Sequence, residues 1–498
     1  MKHFDVIIIG AGPAGITAAV EATKQNKSVL VIEEDSLVGG ISKTINYKQN
    51  RIDIGGHRFF SKSDWVLNWW KELLKPCLLE EAHKIDECML KRKRLSRIYF
   101  ENKFYDYPLK LNLNTALNIG IFRGLGFLKD YIYAKNKPIV QENNLEDFFI
   151  NRFGKGLYET FFKDYTKKVW GIECKYISKD WGAQRIKSLD ISKALLHAVK
   201  SIFLKNSGSI TTLIEEFSYP KYGPGQLWQI AIDKALSNGA ELLLNTKAIG
   251  FERTGYKITS VEILNTKTKN TQTLSADFFI STMPIKDLAS IISPKIDKDI
   301  YDIALNLQYR DFISVGLLYK KLLIKDKHFR QESGACKIPD NWIYVQDKSV
   351  LMGRLQLFNN WSPFMVADVN NTIWLGLEYF CSEGDALWNM PDKSLIELGA
   401  EELEKIGIAE KSDLLDGTVI KQKKAYPAYF GAYEKFDKIK DYFNLFDNLF
   451  LVGRNGMHRY NNQDHSMLSA KTAVDCIMHK ADKNAVWNIN LDDEYHEG

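Results

Sequence analysis

One stretch constrains this chain more than any other: DVIIIGAGPAG, residues 5–15. Val6 to Ile9 are apolar, the pattern of a strand buried on both faces of a parallel sheet. Gly10, Gly12 and Gly15 follow in the GxGxxG spacing. Then come ITAAVEATKQN, which reads as a helix, and a second strand in SVLVIEED. The glycines have separate tasks. Gly10 permits a tight turn, Gly12 lets a pyrophosphate approach the backbone, and Gly15 lets helix pack on strand. The helix N-terminus adds unpaired N–H groups and a positive dipole end, which suit phosphate. Glu33 closes the second strand, where its carboxylate meets a ribose diol. The glycines alone would say little; strand, helix, strand and terminal acid in order predict a Rossmann-like dinucleotide unit.

That unit occupies a small part of 498 residues, so at least two domains are expected, interleaved in sequence. A balance of 67 basic to 62 acidic side chains, net +5, is too even to argue for nucleic acid and leaves a phosphorylated ligand open. The six cysteines (Cys77, Cys88, Cys174, Cys336, Cys381, Cys476) form no CxxC pair, so no metal site is expected. Scattered cysteines suit a reducing cytoplasm. No apolar run reaches the roughly 18 residues of a membrane span. The apolar start is interrupted by a glycine motif that signal cleavage would destroy.

After Glu33 the chain reads DSLVGGISKT. The Gly39-Gly40 pair resembles the second glycine motif of the FAD family that includes amine oxidases, protoporphyrinogen oxidases and UDP-galactopyranose mutases. The resemblance implies that this pair lies against the ribityl and pyrophosphate region of the cofactor. No second GxGxxG follows, so FAD is the one dinucleotide expected to be held. Gly39, Gly40 and Glu33 join Gly10, Gly12 and Gly15 as expected cofactor residues.

A second unusual stretch is HRYNNQDHSM, residues 458–467, between the apolar NLFLVG and the helix-like LSAKTAVDCI. A turn needs two or three polar residues; this segment has Arg459 and then Asn461 to His465 in a row. Asp464 or Ser466 is expected to cap the helix, which begins near Ser466. The remainder is free to face a polar ligand. RYNNQDHSM is similar to a segment of the eukaryotic-type UDP-galactopyranose mutases, with a shorter gap. RIDIGGHRFFS (51–61), FYDYPLKLN (104–112), KDYTKKVWG (163–171), WGAQRI (181–186), YGPGQLW (222–228), STMPI (281–285) and AYPAY (425–429) resemble further mutase landmarks in the same order. The resemblance covers residues 3–480.

It implies that Gly56, His57, Gly453, Asp464, Ser466 and Met467 border FAD. It implies that His57, Arg185, Tyr426, Tyr460 and Asn462 serve catalysis, with Arg185 on a substrate diphosphate, and that Lys167, Lys168 and Trp170 contact substrate. As plain residues these read as a turn histidine, a surface ion pair, core tyrosines and a solvated lysine face. The chain departs from the family at FISVGLLYKK (312–321), where a second diphosphate arginine is missing; Tyr319 and Lys320 stand there, with Arg310 and Arg354 nearby in sequence.

The implied activity is a pyranose–furanose interconversion of a nucleotide sugar for cell-surface polysaccharide synthesis. It proceeds through an adduct at N5 of reduced FAD, with NAD(P)H as external reductant. The alternative is an FAD-dependent oxidoreductase on the same scaffold. The expected fold is α/β. Residues 1–75, 215–300 and 440–485 form a discontinuous FAD domain of the glutathione-reductase-related type. Residues 76–214 form a helical subdomain, and 301–439 an antiparallel-sheet substrate domain. Within the helical part, LEDFFINRFGKGLYETFFKDY is the clearest amphipathic unit. ALNIGIFRGLGFLKDYIYAK (116–135) is expected to pack inside that subdomain, with contact to a membrane surface as the alternative. The tryptophans of SKSDWVLNWWKELL (61–74) are expected in the core, under a Ser61 or Ser63 cap.

Overall fold

The computed structural model describes residues 1–107, 109, 115, 118–179, 216–324 and 334–490. Twenty strands form four sheets among them. The first sheet grows from the glycine motif. β1 (Lys2–Ile9) pairs in parallel with β2 (Val29–Ile32) on one side, and the helix Pro13–Lys24 crosses between them. The second sheet is a short hairpin, β3 (Thr44–Tyr47) with β4 (Asn50–Asp53). A third contains β5 (Lys75–Cys77), β6 (Cys88–Lys93) and, later in the chain, β9 (Glu216–Pro220).

Residues 96–106 differ from expectation. They are β7 (Ser96–Phe100) and β8 (Lys103–Asp106), a hairpin, inside the span 76–214 that the sequence reading gave to a helical subdomain. SRIYF and KFYD are rich in aromatic residues, which favour strands. Glu101 and Asn102 turn between them at φ +50° and +56°, the backbone of a two-residue hairpin loop. Helices follow at Ile121–Asn136, Leu145–Phe153, Lys155–Phe161 and Lys163–Trp170. The expected amphipathic unit is three of these. Asn144 caps the first, its side chain accepting from the Asp147 N–H. The helix Ile121–Asn136 packs by one face only: Tyr131 and Ala134 are buried, whereas Phe122 is 92% exposed. The expectation that this stretch is absorbed into the subdomain is corrected to that extent.

The chain then returns to the first sheet. β10 (Glu241–Leu243), β11 (Thr246–Thr254), β12 (Lys257–Asn265), β13 (Thr271–Ser281) and β14 (Ile292–Ser293) complete the order β10–β2–β1–β13–β12–β11–β14. The fourth sheet holds β15 (Tyr309–Tyr319), β16 (Trp342–Val345), β17 (Arg354–Leu357), β18 (Ile373–Cys381) and β19 (Leu414–Pro427), in the order β19–β15–β18–β17–β16–β7–β8. Its pairings are antiparallel except at β16–β7. Finally β20 (Leu449–Leu451) lies in parallel beside β13, and the helix Gln463–His479 packs against the first helix.

Of the tryptophans expected in the core, Trp69 and Trp70 are buried in the helix Asp64–Leu73, capped by Ser63, while Trp65 packs half-buried against the core. The cysteine reading is corrected. Cys77 and Cys88 form a disulfide between neighbouring strands β5 and β6, while Cys174, Cys336, Cys381 and Cys476 are buried thiols. Strand pairing, invisible to a CxxC search, brings the two together. No helix among the described residues is long and apolar enough to cross a membrane. None of their His, Cys, Asp and Glu side chains cluster in threes to hold a metal ion.

Candidate cofactor and substrate site

A cavity of about 1090 Å³ runs from the glycine loop into the space between the first and fourth sheets. It exceeds the usual range for one small ligand, about 300–1,000 Å³. Its outer end is backbone. Gly10 sits at φ +98°, and a Cβ there would lie 2.0 Å from Thr282 Oγ1. A Cβ on Gly15 would lie 1.8 Å from Gly10 O, so helix and strand touch at that point. Gly12 is different. Its backbone is extended at φ −81°, and a Cβ would meet nothing nearer than 3.8 Å. No contact inside the chain demands glycine at 12; the open space above it belongs to the cavity.

Glu33 lines the same end. Its Oε2 accepts from the Ala11 N–H at 2.6 Å and its Oε1 from the Asp35 N–H at 2.9 Å. Burial pushes its carboxyl above the ordinary value. Each oxygen keeps a lone pair for a ribose hydroxyl. The Gly39 N–H donates to Ala11 O, which ties the second glycine pair to the first loop, and Gly40 lines the cavity.

The segment 453–466 forms the facing wall. Gly453, Tyr460, Asn462, Asp464 and Ser466 line the cavity. The helix begins earlier than expected, at Gln463 with Asn462 as N-cap residue, so Asp464 and Ser466 lie inside its first turn. Asp464 does not cap; its Oδ2 accepts from Ser61 Oγ at 2.9 Å. Met467 stands behind the wall, fully buried, with Trp70 Nε1 donating to its sulfur at 3.2 Å. Arg459 also points away, donating to the Trp487 and Ile489 carbonyls. His458 holds Ala428 O at 3.0 Å. Thus only part of the polar run faces the cavity; the rest ties down the loop.

The inner chamber is built from side chains of distant strands. Arg354 opens β17 directly opposite Glu378 of β18, and the two form a fully buried ion pair. Glu378 Oε1 accepts from Trp342 Nε1 at 3.0 Å and Gln356 Nε2 at 2.9 Å. Arg354 Nη2 donates to Tyr426 OH at 2.8 Å. Burial pushes the Tyr426 hydroxyl up to about 12. The Tyr426 and Tyr460 rings stack at 5.5 Å, and the Arg454 guanidinium lies 4.3 Å from the Tyr460 centroid. Arg454 donates to the carbonyls of Asn461 and Ala425. Arg58 lies 5.5 Å from the Trp342 ring and donates to Ser96 Oγ at 2.8 Å. Arg94 lines the chamber too. His57 borders it; its Nε2 donates to Ile54 O at 2.8 Å, and burial lowers its pKa to about 4, so the ring is neutral. A Cβ on Gly56 would press on the Trp342 ring at 3.1 Å.

Other expected substrate residues stand elsewhere. Lys168 donates to the carbonyls of Val345, Asp347 and Met352, bracing the β16–β17 turn, and burial lowers it to about 8. Lys167 lies 3.7 Å from Glu173, and Trp170 is buried among the helices. Arg310 donates to Val169 O and Ser382 Oγ. Tyr319 is buried away from the cavity and Lys320 is exposed. Arg185 lies outside the described residues. Trp342, Glu378, Arg454, Arg58 and Arg94 were missed. The signal for Glu378 was present: one carboxylate inside the apolar strand IWLGLEYFC.

Residues 8–73 match the model of the NAD(P)-binding Rossmann-like domain. A probable UDP-galactopyranose mutase of Klebsiella pneumoniae is 26% identical over 181 residues, 35% of this chain and 42% of that protein. A putative flavin-containing monoamine oxidase of Mycobacterium tuberculosis is 26% identical over 268 residues, 51% of this chain and 53% of that protein. The chain thus spans about half the length of the curated relatives it matches. A crystal structure of reduced UDP-galactopyranose mutase superposes with a TM-score of 0.80, covering 97% of this chain and 96% of that one at 21% identity. A putative protoporphyrinogen oxidase from Exiguobacterium gives 0.68, with 96% and 99% covered at 13% identity. The fold of this chain is that of UDP-galactopyranose mutase.

Proposed function

We propose that the chain is an FAD-dependent enzyme that interconverts the pyranose and furanose forms of a nucleotide sugar. The observation that carries the reading is the charge of the inner chamber. Arg58, Arg94, Arg354 and Arg454 line it, and Glu378 pairs with Arg354. Guanidinium groups among aromatic faces suit a diphosphate beside a flat base and disfavour a cationic amine.

The residues at the outer end fit FAD: the open space over Gly12, the helix N-terminus at Pro13, and the free lone pairs of Glu33. When bound and reduced, with NAD(P)H as the proposed electron source, FAD supplies a nucleophilic ring nitrogen. The protein's part is to hold and exclude. Arg454 and Arg58 retain the departing diphosphate so that it can return. Trp342, Tyr344 and the stacked Tyr426–Tyr460 pair keep water from the sugar while it is detached. Neutral His57 keeps its proton on Nε2, donated to Ile54 O, and gives the chamber a polar edge without a second charge. Arg185 and Asn462 are proposed to grip substrate from the remaining sides. The proposed setting is the cytoplasm, supplying cell-surface polysaccharide synthesis. The Cys77–Cys88 bond stands against a strongly reducing compartment, and cell fractionation with thiols blocked decides that point.

The test is incubation of the purified protein with UDP-galactopyranose and UDP-galactofuranose under reducing conditions, followed by chromatography. Isomer formation without net use of an electron acceptor is expected. Acceptor-dependent oxidation of an amine with no sugar isomer would overturn the reading. It would leave the FAD-dependent oxidoreductase, which the longer alignment to the monoamine oxidase favours.

A further inference from the structure

The helix Ile121–Asn136 has a face that nothing in the proposed chemistry uses. At about 100° per residue, Phe122, Leu125, Gly126, Lys129, Ile132, Tyr133 and Asn136 fall within one arc of about 120°. All are exposed: Phe122 by 92%, Leu125 by 58%, Ile132 by 50% and Tyr133 by 63%. Val140, just beyond, is 99% exposed. A Cβ on Gly126 would have nothing within 4 Å. The opposite face is well seated: Tyr131 and Ala134 are buried, and a Cβ on Gly154 would lie 2.7 Å from Tyr131 N. The helix is therefore held firmly by one side and presents large apolar side chains on the other.

Charge separates the possible occupants. The helix contains one acid, Asp130, and it faces inward, its Oδ2 accepting from the Gly156 N–H at 3.0 Å. Arg123 is paired with Glu101. Lys129, Lys135 and Lys137 have no carboxylate partner among the described residues; Lys135 and Lys137 lie over the Tyr131 and Tyr133 rings at 5.6 and 5.7 Å. Lys129 stands in the middle of the apolar arc. Two-fold packing of this face on a second copy would bring like charges together in a desolvated centre.

We propose that this face seats the protein on an anionic lipid surface. Phe122, Leu125, Ile132 and Tyr133 enter the acyl boundary, while the lysine stems bend outward and place their ammonium groups among the headgroup phosphates. At 16 residues the helix lies along the surface and does not cross it.

The experiment is co-sedimentation of the full-length, flavin-loaded protein with phosphatidylcholine vesicles, with and without phosphatidylglycerol. Binding is expected only with phosphatidylglycerol, weakening as salt is raised. Phe122→Glu with Leu125→Glu should weaken it by at least about tenfold and leave circular dichroism and flavin content unchanged. Lys129→Glu with Lys135→Glu and Lys137→Glu should reduce binding to the anionic vesicles while keeping the apolar arc. A Tyr133→Trp reporter should shift its emission to the blue on the vesicles. Equal binding to both vesicle types, or binding indifferent to the Phe122 and Leu125 changes, overturns the proposal. So does a dimer by light scattering that those changes dissociate, which would assign the face to a second copy.

Discussion

The two ends of the cavity are built by different means. The outer end is main chain: Gly10, Gly12 and Gly15 shape a loop, and Glu33 is held by two backbone N–H groups. The inner end is side chain: Arg354, Glu378, Trp342 and Tyr426 are joined across four strands of the fourth sheet. A backbone cradle is crowded at Gly10 and Gly15 and open over Gly12. A side-chain chamber carries charge, and it fails when one partner is lost.

The sharpest way to break this contrast is within the glycine loop itself. Gly12→Val should give a folded, colourless protein, because the new side chain fills ligand space and its Cβ meets the chain only at ordinary contact distance, 3.8 Å from Gly40 Cα. Gly15→Val should cost the fold, since its Cβ would lie 1.8 Å from Gly10 O. Flavin absorbance and thermal melting read the two. A yellow Gly12→Val protein would remove the assignment of this end to FAD.

At the inner end, Glu378→Ala leaves Arg354 buried and unanswered, which should cost about 3–5 kcal/mol in denaturant unfolding. Glu378→Leu with Arg354→Met should recover most of that stability and none of the activity. If the single change costs under about 1 kcal/mol, the pair is not buried as described.

A third effect comes from imidazoles on either side of the cavity wall. His57 borders the chamber and His458 lies behind it; burial lowers both from 6.5 to about 4. Below about pH 6.5 the unfolded chain takes up protons that the folded one refuses until about pH 4, so stability falls as pH drops through that window. Asp53, raised by burial from 3.8 to about 7, acts in the opposite sense: its contribution is present at low pH and lost as pH rises through about 7. His458→Gln keeps a donor for Ala428 O and should remove one proton's share of the acid slope, about 3 kcal/mol over the window. Loading with FAD should alter the share of His57 and not that of His458. Urea titrations at several pH values measure both.

The smallest effect concerns Arg454, half-buried and held by two carbonyls and the Tyr460 ring face. Arg454→Met should weaken binding of a diphosphate substrate by about 1.5–3 kcal/mol with melting unchanged. Equal loss with an uncharged substrate would move Arg454 from recognition to scaffolding.

The outer end was legible because main-chain geometry dictates residue types at fixed spacing. The start of the last long helix was less so. NNQDHS offers four good N-cap residues; the chain uses Asn462, through its extended backbone, and spends Asp464 on Ser61. The inner chamber was half legible. Tyr426 and Tyr460 came from local motifs, whereas Arg354 meets Glu378 only through strand register. Lys168 misled for the same reason: a lysine beside an aromatic segment carries no sign of the three carbonyls it meets. The β7–β8 hairpin was missed because the helical periodicity that follows it dominated the region.

The placement of β20 beside β13 sets a clock for biosynthesis. One wall of the cavity comes from residues 9–57 and the other from 453–466. A ribosome adds residues one by one, so the first βαβ unit leaves the tunnel long before its opposing wall exists. The nascent chain can fold its glycine loop early and still lack the pocket that retains a dinucleotide. On the proposed assignment to FAD, holoprotein formation would wait on the segment that starts at Gly453, and messages interrupted upstream of it would yield chains that carry the Rossmann signature without its cargo.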